Sequence, residues 1–238
     1  MRGVATSLIL LLFSKVVVLV YWFVGIDYSM TSPAMVAYET TDDILRWYYM
    51  STEKSKLKSD SNLFSAHIPV TKTTQEDIAS GSFEGSYERF NLISDWFMKT
   101  IDVLKPKYVF LEGFSLGSQG KLFSIAENTA IMKNKLYDGG YYVSVFPPTV
   151  IKKFATGKGN ASKQRMKEQF LRSHSIANKK MLIEKRVIDL HKVAHYRASP
   201  FTDLIDAYYV LKHGMDSVND TRAMTGAEVL SDPSFLPV

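Results

Sequence analysis

The 238-residue chain contains no cysteine. Disulfides and thiolate metal sites are therefore excluded, and the composition fits a reducing compartment, which points to the cytoplasm. Internal repeats, heptads and low-complexity blocks are absent too, so neither a repeat architecture nor a coiled coil is indicated. Nitrogen ligands are sparse. None of His67, His174, His191, His195 and His213 has a ligand partner at regular spacing. His191 and His195 stand four apart, which suits zinc, but no third ligand lies near them and we read them as surface residues. A clean membrane or export signal is also missing. Residues 4–26 are nearly all apolar and long enough to cross a bilayer or to act as a signal sequence. Thr6, Ser7, Ser14 and Lys15 interrupt that run, and no small-residue cleavage site precedes Asp27. Residues 16–26 are rich in Val and aromatics and lead through Gly25-Ile26 into Asp27, the pattern of a strand buried on both faces. A strand that ends on a site residue does not lie in lipid, so membrane association is not expected.

What is present is a hydrophobic content of 46%, enough for one full core. Residues 1–15 read as an apolar N-terminal extension that the fold does not need. Residues 16–215 form one α/β domain, and 216–238 form a polar C-terminal tail. Charge is unevenly spread: residues 121–197 carry 16 Lys/Arg against 5 Asp/Glu, whereas the remainder carries 13 against 19. A basic segment beside an acidic site suits a phosphate polymer, and a solvated helix face is the ordinary alternative.

The pattern predicts strands near residues 16–26, 33–38, 46–50 and 63–70, those after the first forming an antiparallel meander. Residues 71–85 read as a loop. A helix over 86–104 follows from Phe90, Ile93, Phe97, Ile101 and Leu104, and Lys105-Pro106 stops it. A strand at 108–111, a helix at 120–137 and a strand at 141–146 come next. Pro147-Pro148-Thr149 opens a short helix, another starts near Ser162, and Ser199-Pro200 leads into a last one. The order is that of a mixed five-stranded sheet flanked by helices.

Four carboxylates occupy the ends of these segments. Asp27 closes the first strand, Glu112 closes the strand after the first long helix, and Asp203 and Asp206 share one face of the last helix. Each has an ordinary explanation alone: turn preference for Gly-x-Asp, a solvated strand end for Glu112, the helix dipole for Asp203. Two acids at i and i+3 repel by a few tenths of a kcal/mol unless a cation sits between them. Acid after strand one, acid after the strand following the first helix, and an acidic pair opening a late helix is the layout of the ribonuclease-H-like nuclease fold.

The surrounding residues resemble the RuvC family of Holliday-junction resolvases, particularly those of phages. Gly25-Ile-Asp27-Tyr-Ser is similar to its opening Gly-Ile-Asp-Pro-Ser/Gly, with Tyr28 in place of proline. Glu112-Gly-Phe-Ser-Leu-Gly-Ser-Gln-Gly-Lys resembles its glutamate segment, although Ser115 stands where the family places an aromatic and Phe114 lies one earlier. Gly157-Lys-Gly159-Asn-Ala161-Ser-Lys163 resembles its Gly-x-Gly-x-Ala-x-Lys, and Asp203-x-x-Asp206-Ala207 its closing Asp-x-x-Asp-Ala. The segment 40–85 is longer than in bacterial resolvases.

The resemblance implies an endodeoxyribonuclease that cuts four-way (Holliday) junctions and other branched DNA. It implies two Mg2+ ions, replaceable by Mn2+, with Asp27 bridging both and Glu112, Asp203 and Asp206 completing the ligand set. Lys163, with Lys152, Lys153 and Lys158, would hold phosphates, and Phe114 would stack on DNA. It also implies a homodimer, because paired cuts across a junction need two sites, and a host-cell cytoplasm if the source is a phage. Two other readings compete: a non-catalytic junction-binding protein, and a nucleotide enzyme of the actin-like or sugar-kinase fold. The latter also opens on Gly-Ile-Asp but needs a second Gly-rich phosphate loop, which the sequence lacks.

Overall fold

The computed structural model describes residues 21–57, 63–68, 83–114, 122–176 and 199–225. Among them are strands β1 Trp22–Asp27, β2 Ala34–Glu39, β3 Ile44–Ser51, β4 Leu63–His67, β5 Tyr108–Glu112 and β6 Val143–Phe146. The helices are α1 Phe83–Leu104, α2 Leu122–Asp138, α3 Pro148–Thr156, α4 Lys163–Ile176 and α5 Phe201–Thr225. The strands form one sheet in the order β4-β3-β2-β1-β5-β6, in which only β2 opposes its neighbours. This is the expected α/β arrangement, a mixed sheet flanked by helices.

The sheet has six strands rather than five, because β4 adds to the edge. It pairs parallel to β3, from Trp47–Leu63 to Ser51–His67, and so does not continue the antiparallel meander. A parallel return needs a long crossover, and the polar stretch between Ser51 and Leu63 provides one where a hairpin would need only a few residues. Helix α1 begins at Phe83, inside the segment read as a loop, and α5 runs past residue 215 to Thr225, with Val218 packed against the core. No helix among the described residues is long and apolar enough to cross a membrane. Most of the apolar N-terminal run, residues 1–20, lies outside the described residues.

Strand alternation splits the core into two layers. Val24, Ile26, Met35, Val109 and Leu111 face α1 and α2, where Ile93, Phe97, Ile101, Met132 and Leu136 meet them. Phe90, Ile93, Phe97, Ile101 and Leu104 are all buried, so the stripe that predicts α1 is the stripe it packs. Phe23, Val36, Trp47 and Phe110 face the other way, toward Leu204, Ala207 and Leu211 of α5 and Met166 and Phe170 of α4. Helix α5 lies directly on the central strand. A Cβ on Gly25 would stand 2.4 Å from the Leu211 backbone nitrogen and 2.6 Å from the Ala207 carbonyl oxygen. One on Gly214 would stand 2.2 Å from the Phe110 ring. At Gly25 the two backbones approach too closely for any side chain, whereas at Gly214 it is the Phe110 ring that fills the space.

Gly25→Ala should therefore cost more than the ~1–3 kcal/mol usual for overpacking, since backbone rather than a rotamer must give way. Gly214→Ala should cost within that range, because a ring can shift. Thermal unfolding of both variants beside Val103→Ala, an exposed position expected to be neutral, checks this ordering.

Candidate metal centre

Alternation sends Asp27 to the same side as Phe23 and Gly25, toward α5, and Glu112 to the same side as Phe110. The Ile26–Leu111 partner pair stands one step before them, so the two acids end adjacent parallel strands. From above, the first turns of α5 bring Asp203 and Asp206, held in place by fully buried Leu204, Ile205 and Ala207. Asp27, Asp203 and Asp206 each offer a carboxylate oxygen, all within 4.8 Å of one another. Their relative exposures are only 8%, 5% and 8%, so water does little to separate the charges. Glu112 stands outside that trio, half-buried and near enough for its charge to raise Asp27.

Burial and mutual repulsion push Asp27, Glu112 and Asp206 upward. Asp27 is held well above the usual carboxylate range by burial first, then by Glu112, Asp203 and Asp206, against the pull of Lys163. Burial and Asp206 raise Glu112 to about 7. Burial, offset in part by Lys163, raises Asp206 to about 6, with Asp203 adding to the rise.

One cation reaches into the cluster. Lys163 Nζ lies 2.5 Å from Asp203 Oδ1 and 3.4 Å from Asp206 Oδ2. Burial would lower its pKa, but Asp27, Asp203 and Asp206 outweigh that and hold the ammonium above its ordinary value. Its position follows from local sequence: Ser162 Oγ accepts the Arg165 backbone N–H at 3.2 Å, capping α4 so that Lys163 falls in the first turn. Buried Ala161, Met166 and Phe170 then pin that end of the helix.

The other predicted residues lie around this centre. Lys152, half-buried on α3, is close enough to draw Glu112 and Asp206 downward. Lys153 and Lys158 are exposed, at the end of α3 and just beyond it. Phe114, 38% exposed, lines a cleft of about 360 Å³ that opens beside Asp27 and Glu112 and is walled by Met30, Ile125, Thr129 and Pro148. Ser115 lies outside the described residues, as do His191 and His195. His213 packs between the rings of Phe146 and Phe154, at 4.7 and 5.1 Å, and stands apart from the acids in a largely aromatic setting.

Two residues of the site escape sequence reasoning. Ser32 Oγ donates to Asp203 Oδ2 at 2.6 Å, and Ser199 Oγ is hydrogen-bonded to Ser32 Oγ. The only signal for Ser32 is the hydroxyl-rich run after Asp27, and Ser199 reads as part of a helix start.

The donor set fits a hard divalent cation: all-oxygen, mutually repelling and only partly neutralised by one lysine. No protein-family model matches the sequence, and no curated protein sequence matches it. Among solved structures, the fold is similar to Thermus thermophilus RuvC at 15% identity, covering 84% of this chain and 97% of that one with a TM-score of 0.49. A Fowlpox virus resolvase in complex with Holliday junction DNA matches at 12% identity, covering 83% and 98%, with a TM-score of 0.45. The yeast mitochondrial Holliday junction resolvase Ydc2 matches at 13% identity, covering 84% and 83%, with a TM-score of 0.44.

Proposed function

We propose that the protein is a divalent-metal-dependent endonuclease acting on four-way junctions and related branched DNA. The observation that carries this reading is the buried trio Asp27, Asp203 and Asp206, three carboxylates from two distant chain segments within 4.8 Å. A structural role gives no reason to bury three acids against one lysine, because desolvating them costs several kcal/mol per ion. Asp27, Asp203 and Asp206, with Glu112 beside Asp27, would hold Mg2+ or Mn2+, two ions by the sequence resemblance. When bound, such a cation activates water and stabilises charge on a phosphodiester oxygen.

The chain's own residues do the rest. Lys163 and Lys152 supply positive charge at the rim of the acids, where a scissile phosphate would enter. Exposed Lys153, Lys158, Arg165 and Arg172 continue that charge along α3 and α4, suited to a sugar–phosphate backbone. Phe114, at the mouth of the cleft, offers a ring face to an unpaired base. Restriction to four-way junctions and a homodimer with one site per subunit are the finer parts of the proposal, and both rest on the sequence resemblance.

Junction cleavage provides the direct test. In Mg2+, Asp27→Asn and Glu112→Gln should lower nicking of a synthetic four-way junction by at least ~100-fold, the upper range for disturbing even an outer ligand, while junction binding in EDTA persists. Cleavage by either variant at the parent's rate would eliminate the metal site. Equal binding without any cleavage by the parent would instead favour a junction clamp. Lys153→Ala and Lys158→Ala should each reduce the slope of log affinity against log salt by about 1.

The metal-free cluster also makes stability depend on pH. Glu112 and Asp206 have folded values of about 7 and about 6, above their ordinary 4.5 and 3.8. Between roughly pH 4 and 7 the folded state therefore binds more protons than the unfolded state, and stability falls as pH rises through that window. In EDTA the thermal midpoint should be higher at pH 5 than at pH 8. Glu112→Gln should raise the midpoint at pH 8 and change it little at pH 5, and Mg2+ should reverse the parent's loss at pH 8.

A further inference from the structure

The loop after β1 carries a hydroxyl that none of the proposed roles uses. Ser32 is buried, at 8% exposure, and its Oγ lies 2.6 Å from Asp203 Oδ2. Its backbone N–H is held in turn by Ser29 Oγ at 3.0 Å, which fixes the loop that presents it. A serine hydroxyl has one proton to donate. With that proton on the Asp203 carboxylate, Ser199 must be the donor in the Ser199–Ser32 hydrogen bond. The result is a directed chain, Ser199 to Ser32 to Asp203, that joins the loop after β1 to the entry of α5.

The two oxygens of Asp203 are thereby divided. Oδ2 is bonded to Ser32, and Oδ1 faces Lys163 Nζ at 2.5 Å, on the side where that lysine also meets Asp206. Among carboxylates that repel one another, an untethered side chain rotates away from its neighbours. The Ser32 bond opposes that rotation and keeps Oδ1 turned into the cluster. It does so whether or not Lys163 remains there, which matters because a lysine that engages a DNA phosphate leaves Asp203 without its other partner.

Building on the metal-nuclease reading, we propose that Ser32 is a positioning residue that orients Asp203 for the cation, with Ser199 fixing the direction of the Ser32 hydroxyl. Hydrogen-bond partners of ligating carboxylates characteristically set metal affinity, by ~10–100-fold when removed. A serine that only tied the loop to α5 would affect folding and leave ion binding alone.

Calorimetric titration of DNA-free protein with Mn2+ separates these roles, alongside thermal unfolding in EDTA and junction cleavage in Mg2+. Ser32→Ala should weaken Mn2+ binding by ~10-fold or more and lower kcat at saturating Mg2+, with junction affinity in EDTA unchanged. Ser32→Thr, which keeps the hydroxyl, should recover most of the ion affinity, and Ser199→Ala should fall between the two. Ser32→Ala binding Mn2+ within two-fold of the parent would overturn the assignment, as would Ser32→Thr as impaired in Mn2+ binding as Ser32→Ala. Should Ser32→Ala not fold, Ser199→Ala and Ser32→Thr decide by the same Mn2+ readout, parent-like affinity in Ser199→Ala overturning the serine chain. Failure of the parent itself to bind Mn2+ would remove the metal-nuclease reading and Ser32's role with it, an outcome distinct from a parent that binds while Ser32→Ala matches it.

Discussion

Helix α5 meets the central strand backbone to backbone at Gly25, and the site depends on that contact. At Gly25 the space for a Cβ is already taken by the Leu211 nitrogen and the Ala207 carbonyl, and at Gly214 by the Phe110 ring. Two glycines, one from the strand and one from the helix, lower α5 onto β1 and β5. Asp203 and Asp206, at its start, then arrive at the depth of Asp27 and Glu112. A larger residue at position 25 would lift the helix and separate the acids, so the glycine before Ile26-Asp27 belongs to the site as much as the aspartate does.

The contact brings together groups that repel one another. Asp27, Glu112 and Asp206 all have raised proton affinities, each chiefly through burial and then through its neighbours. The cluster is held by what surrounds it: Leu204, Ile205 and Ala207 buried beneath the helix, Lys163 against Asp203 and Asp206, and Ser32 against Asp203. Stability is given up locally where a ligand can restore it. One lysine among four acids leaves net negative charge, and the basic surfaces of α3 and α4 lie around it. On the proposed reading, a polyanion would be held at that rim and a divalent cation would neutralise the centre.

Much of this was legible because it is periodic or punctuated. The stripe Phe90, Ile93, Phe97, Ile101, Leu104 marks α1, Pro106 marks its end, and Gly-Ile-Asp27 and Phe-Leu-Glu112 mark strand ends with acids. Their order along the chain carries the layout of the fold without reference to any contact. The parallel pairing of β4 was not legible, because strand direction depends on the route of the connecting segment and not on the strand's own residues. Ser32 and Ser199 were invisible for a similar reason. They are 167 positions apart, and a serine in a turn or at a helix start already has a local explanation.

The sequence by itself determined which side chains face which layer, since strand alternation and helical spacing are set by local geometry, and it determined that acids stand at the ends of buried segments. Only the tertiary structure decided that Asp27, Asp203 and Asp206 converge to 4.8 Å while Glu112 stands beside them, and that Lys163 sits among the acids. Convergence depends on how closely two backbones approach and in what register. Those quantities come from packing across the whole domain, and no window of neighbouring residues contains them.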